Sequence, residues 1–73
     1  MNSHYSIIIQ WSEEDQAYVA TLPEFGEFCH THGNSYGEAL ENAAQVLSLL
    51  VETYQTEGKQ LPKPIIFGQH QAA

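Results

Sequence analysis

Ser35-Tyr36-Gly37-Glu38-Ala39-Leu40-Glu41-Asn42-Ala43-Ala44-Gln45-Val46-Leu47-Ser48-Leu49-Leu50-Val51-Glu52-Thr53-Tyr54-Gln55-Thr56-Glu57-Gly58 decides the fold. Tyr36, Leu40, Ala43, Leu47, Leu50 and Tyr54 recur at alternating steps of four and three, the period of one face of an α-helix. Ala44 and Val51 fall beside that stripe. Ser35 followed by Glu38 reads as a capping box, and Glu38 and Glu41 sit where the helix dipole favours negative charge. Gly58 suits the left-handed turn that ends a helix. The spacing therefore predicts a helix over 35–58, about 33 Å long and longer than a six- or seven-residue strand of about 20–23 Å. Leu49 lies about 160° from the centre of the stripe by helical geometry. With Thr53 it is expected on an overhanging C-terminal half, free to meet another subunit or a partner.

Upstream, residues 5–11 are rich in β-branched and aromatic side chains. Tyr5, Ile7, Ile9 and Trp11 alternate with Ser6, Ile8 and Gln10, as in a strand with two unlike faces. Ser12-Glu13-Glu14-Asp15-Gln16 is a polar hairpin loop, and 17–22 a second strand. Pro23 leaves the ladder, Glu24-Phe25-Gly26 turns the chain, and 27–32 forms a third, shorter strand. Downstream, Pro62 and Pro64 impose an extended loop before the apolar run Ile65-Ile66-Phe67, read as a fourth strand. The order β-β-β-α-β gives an α+β fold: a two-layer sandwich with an antiparallel sheet covered by one long helix, all in a single domain over 1–73.

Seventy-three residues carry nine carboxylates against two lysines, Lys59 and Lys63, and no arginine, for a net charge of −7. Nucleic-acid binding needs several cations to neutralise phosphates, so direct binding of DNA or RNA is not expected. An acidic surface suits association with a basic protein. No apolar run is long enough to span a bilayer. The start of the chain lacks the basic and apolar regions of a secretory signal. Cys29 is the only cysteine, which fits a reducing cytoplasm.

Residues of catalytic type do not assemble into a recognisable site. His30 and His32 flank Thr31 and share one face of a strand, a geometry that can begin a metal site. A third ligand would have to come from His4 or a nearby carboxylate. Cys29 points to the opposite face from His30, so a thiol–imidazole pair does not follow. Glu13, Glu14 and Asp15 lack the ligand spacing and glycine of a calcium loop. No catalytic residue, metal site or cofactor is assigned. A metal-binding protein or metal-dependent enzyme using His30 and His32 stands as an alternative, as does a self-associating scaffold.

Several segments, taken in order, carry a family resemblance. They are the N-terminal Tyr-x-Ile-x-Ile strand, Ala17-Tyr18-Val19-Ala20-Thr21-Leu22-Pro23-Glu24-Phe25, Cys29-His30-Thr31-His32-Gly33, Ser35-Tyr36-Gly37-Glu38-Ala39-Leu40-Glu41-Asn42-Ala43, and Gly58-Lys59-Gln60-Leu61-Pro62-Lys63-Pro64. Over residues 5–67 this resembles the HicB antitoxin family. The family pattern has Pro-Gly before the cysteine where this chain has Gly26-Glu27-Phe28. The resemblance implies a partial ribonuclease H-like fold without catalytic carboxylates. It also implies the role of a type II antitoxin that covers a small basic HicA-type toxin, a messenger-RNA interferase. Many family members carry a C-terminal helix-turn-helix or ribbon-helix-helix domain. No such segment follows here, so operator binding is not carried over.

The expected contact surface comprises the hairpin acids Glu13, Glu14 and Asp15, the turn residues Glu24, Phe25 and Phe28, and Leu49 on the outer helix face. Ile8 faces away from Ile7 and Ile9, and a free sheet face or edge must be protected. A homodimer or higher oligomer is the expected state.

Overall fold

The computed structural model describes residues 4–26 and 29–68. Strands Ile8–Ser12 (β1), Ala17–Thr21 (β2) and His30–Gly33 (β3) form one antiparallel sheet in the order β1-β2-β3, and the helix Tyr36–Thr56 (α1) lies across one face of it. This is the α+β arrangement of a meander covered by one helix. The register pairs Ile9 with Ala20 and Trp11 with Tyr18. It also pairs Ala20 with Thr31 and Tyr18 with Gly33. Alternation then places Ile9, Trp11, Tyr18, Ala20, Thr31 and Gly33 on the helix side. Ile8, Gln10, Val19, Thr21, His30 and His32 line the other, open face.

The Ser35 half of the expected capping box forms, while Glu38 reaches one residue further back, to Asn34 rather than Ser35. The Ser35 hydroxyl accepts from the Glu38 N–H at 3.1 Å, and the Glu38 carboxylate accepts from the Asn34 N–H. The Glu38 N–H, which the helix start would leave orphaned, is thereby satisfied, and the N–H of Asn34 just before the cap is tied to the first turn. Ala39, Ala43, Leu47 and Val51 are the buried residues of the helix, joined by Ala20 and Leu22 from the sheet side. Three of these six are alanines, so at its N-terminal half the helix rests very close to the strands. Gly33 is where they meet. A Cβ built on Gly33 would stand 2.4 Å from the Ala39 nitrogen and 2.7 Å from its Cα. The Asn42 amide also donates to the His32 carbonyl at 2.8 Å, satisfying an acceptor on the edge strand.

Three expectations need correction. The first strand begins at Ile8 rather than Tyr5, because the chain before it is held from elsewhere. The Tyr5 hydroxyl donates to the Pro62 carbonyl at 2.6 Å, and the Ser6 N–H donates to the Glu24 carboxylate at 3.1 Å. The third strand begins at His30; the earlier residues 27–28 lie outside the described residues. No fourth strand forms over 65–67. Pro62 and Pro64 have no N–H for a ladder, and the N–H of Ile65 donates to Glu24 at 2.9 Å instead.

The helical stripe also divides differently along its length. Its C-terminal half is covered on the inner side, where Tyr54 meets Phe25 with ring centroids 5.5 Å apart and Leu61 packs against the core. Leu49 and Thr53 are exposed on the outer side. At the N-terminal end Tyr36 and Leu40, both placed in the stripe by spacing, remain exposed. Ala39 makes the contact with the sheet there, and beyond Gly33 the edge strand offers no further side chain to cover them.

The Gly33 contact fixes an expected outcome. Gly33→Ala forces two backbones apart and costs about 3 kcal/mol, the upper part of the range for overpacking. For a chain this size that lowers Tm by roughly 10–20 °C. Gly37→Ala is the control, since a Cβ there meets nothing closer than the Ser35 Oγ at 4.0 Å. It gains up to about 1 kcal/mol from helix propensity. Thermal melts of the two variants distinguish this contact from a general intolerance of alanine.

Candidate functional site

The expected contact residues separate into two groups. Glu24 and Phe25 turn inward. Phe25 stands in the short 3-10 turn Pro23–Phe25, half-buried, with its ring centroid 5.0 Å from Tyr5 and 5.5 Å from Tyr54. The Glu24 carboxylate accepts from the Ser6 N–H through both oxygens at 3.1 Å. Its Oε2 also accepts from the Ser6 hydroxyl at 3.0 Å and from the Ile65 N–H at 2.9 Å. Burial pushes this carboxyl up. The N–H groups of Ile65, Ser6 and Glu24 itself, with the Ser6 hydroxyl, outweigh that and hold it below its ordinary value of 4.5. Glu24 thus fastens the segment before β1 and the segment after the helix to one turn. Phe28 lies outside the described residues.

Glu13, Glu14, Asp15 and Leu49 are exposed. The hairpin sends its acids to opposite sides of the sheet. Glu13 Oε2 accepts from the Trp11 indole N–H at 2.8 Å, on the helix side. Asp15 accepts from the Ser12 hydroxyl at 3.1 Å and lies 3.3 Å from His32 Nε2, on the open face. Gln16 takes a left-handed backbone at φ 51° and its amide donates to the Glu13 carbonyl at 2.7 Å, closing the loop. Along the outer side of α1, Glu41 and Glu52 are exposed, and so is Glu38, whose carboxylate is turned back onto the Asn34 N–H. Lys59 lies past the C-terminal end of the helix, where it pairs with Glu57 at 3.2 Å and sits 5.8 Å from the Tyr54 ring. Lys63 follows it in the exposed loop.

His30 and His32 do share the open face, with ring centroids 6.1 Å apart. Among the described residues no group of three or more His, Cys, Asp or Glu side chains is gathered as a metal would require. Cys29 is half-buried and packs against the core on the helix side, opposite the two imidazoles. No described helix is long and apolar enough to cross a membrane.

One set of surface residues escapes a reading by spacing. Trp11 and Tyr18 pair edge to face at 5.1 Å, and Tyr18 and Tyr36 lie 4.4 Å apart. Strand alternation places Trp11 on the core side, and helix period places Tyr36 there too. Both are exposed because they stand at the end of the sandwich, where neither layer extends over the other. The signal available in the sequence was Trp11 lying immediately before the hairpin and Tyr36 opening the helix. No family model matches the chain, nor does any curated protein or solved structure.

The Glu24 clasp carries a pH dependence. Its folded value is lowered, so its contribution to stability is full above about 4.5 and is lost as pH falls through the lower folded value. Glu24→Gln is expected to be less stable than the wild type at pH 7 by about 1–3 kcal/mol, the range for weakening charge-assisted hydrogen bonds. Denaturant titrations should show this gap closing as the pH drops below the folded value. A gap that stays constant with pH contradicts a charged clasp.

Proposed function

We propose that this chain is a HicB-like antitoxin or an antitoxin-derived binding module, which neutralises a small basic HicA-type messenger-RNA interferase by protein–protein contact. The observation that carries the reading is the uncompensated negative surface. Carboxylates project from the β1–β2 hairpin and along the outer side of α1, while both lysines follow the helix. Such a surface raises the encounter rate with a basic partner and repels nucleic acid. The order of motifs resembling the HicB family supports the same reading, and so does the three-strand, one-helix layout. The protein acts by covering its partner and needs no catalytic residue or cofactor of its own. Its lone thiol fits the cytoplasm as the place of action.

Self-association accompanies this role. The open sheet face presents Ile8 and Val19 between polar neighbours and carries no carboxylate in its strand positions. Asp15 from the hairpin lies against His32 on this face, and the lack of carboxylates at its strand positions limits the repulsion between two copies of charge −7. Ile65, Ile66 and Phe67 add exposed apolar surface. We expect a homodimer or higher oligomer.

Co-expression with the product of the adjacent gene tests the main reading. A small basic interferase should co-purify with the chain, and growth arrested by that interferase should recover. Failure to bind any neighbouring gene product removes the antitoxin role. Light scattering at micromolar protein tests the second point. A mass above the monomer is expected, reduced by Ile8→Lys, and a concentration-independent monomer contradicts it.

A further inference from the structure

The aromatic end of the sandwich lies outside the contact surface expected from the sequence. Trp11 is 47% exposed, Tyr36 63% and Leu40 49%. Tyr18 links the first two, so indole and phenol rings run without interruption from β1 across β2 to the first turn of α1. Leu40 follows Tyr36 one helical turn later. Exposed tryptophan and tyrosine held in fixed positions by neighbouring rings are the residue types that anchor interfaces. Their charge setting is one-sided. Glu13 is hydrogen-bonded to the indole N–H, Glu14 follows it, and both lysines belong to the opposite end of a 21-residue helix.

We infer that Trp11, Tyr18, Tyr36 and Leu40, rimmed by Glu13, form the docking surface for an arginine-bearing segment of a basic protein partner. A guanidinium is planar, stacks on aromatic faces and donates to carboxylates in one geometry. The Trp11 and Tyr36 rings supply the faces. Glu13 uses one oxygen on the indole and keeps another to accept from the cation. A second copy of this chain is a poor occupant, because it has no arginine and brings its own excess of carboxylates. The inference rests on the proposal of a basic protein partner and locates that partner's principal contact.

A fluorescein-labelled hexa-arginine peptide, titrated into the full chain at low salt and followed by anisotropy, provides the test. The wild type should bind, and its single tryptophan should change emission on binding. Trp11→Ala and Tyr36→Ala should each weaken binding about tenfold or more, as removal of an anchoring aromatic does. Trp11→Phe should retain most of the affinity. Glu13→Gln should weaken binding several-fold. The double variant Glu52→Gln/Glu57→Gln, near the other end of the helix, should stay within about twofold, as expected of exposed charges distant from the contact. Circular dichroism confirms that each variant keeps its helix. Absence of wild-type binding, unchanged tryptophan emission, or equal weakening by changes at both ends overturns the inference. Co-purification separates it from the reading beneath it. If the basic neighbour is captured equally by wild type, Trp11→Ala and Tyr36→Ala, this surface is wrong and the antitoxin role stands. If the wild type captures no neighbour, that role falls and the peptide titration still decides the surface.

Discussion

The close approach of α1 to β3 at Gly33 is the constraint on which the other contacts depend. The helix backbone at Ala39 occupies the space that a Cβ on Gly33 would need. Ala39, Ala43 and Ala20 are fully buried because, at this separation, only a methyl group fits between the layers. Once the first turn is set at Gly33, the Asn42 amide reaches the His32 carbonyl and the helix crosses the sheet toward Leu22 and the Phe25 turn. Larger side chains enter only where the layers diverge, at Leu47, Val51 and Tyr54. A chain of this length has little core to spare, so the contact that sets the spacing between layers determines how much of the remaining apolar surface can be covered.

The far end is held by a different device. Tyr5, Phe25 and Tyr54 pack edge to face, and the polar groups around them converge on the Glu24 carboxylate and the Pro62 carbonyl. Glu24 joins segments 18 and 41 residues away, which encloses the aromatic trio between the turn, the start of the chain and the loop after the helix. Its multiple donors keep it ionised despite partial burial. The molecule thus has a small-residue contact at one end, where backbones touch, and a polar clasp over bulky rings at the other.

The sequence made the first layer of this description legible and left the second obscure. The helix could be read because its period, cap and terminator agree, and the observed element differs from the expected one only by its flanking residues. Leu49 could be placed outward for the same reason. Tyr36 and Leu40 could not be placed, because a helical wheel treats every turn alike and contains no information about where the opposing sheet ends. Trp11 fails by the same route, since alternation assigns it a face but not a cover. The role of Glu24 was hidden because its partners are remote in sequence and two of them are backbone N–H groups, which leave no residue pattern. The absent strand at 65–67 shows the limit of an apolar run as a signal: β-branched residues favour a strand only where a ladder can receive them.

The residues that pattern misplaced at the surface, Trp11, Tyr36 and Leu40, share one end of the sandwich, and that links fold to function. Small residues at Gly33 and Ala39 bring the layers together but cover little area, so the larger side chains flanking them, the half-buried Tyr18 and the exposed Tyr36, pack against each other at the margin of the core. Trp11 extends the same row to the hairpin, whose Glu13 accepts from its indole N–H. A protein seeking only stability would favour smaller or polar residues at positions that remain half exposed. Trp11 packs edge to face on Tyr18 and Tyr36 packs tilted against the same ring, and side-chain contacts made before a partner arrives lower the conformational cost of binding. The same packing choice that closes the sandwich at Gly33 therefore leaves an acid-rimmed aromatic surface at its end.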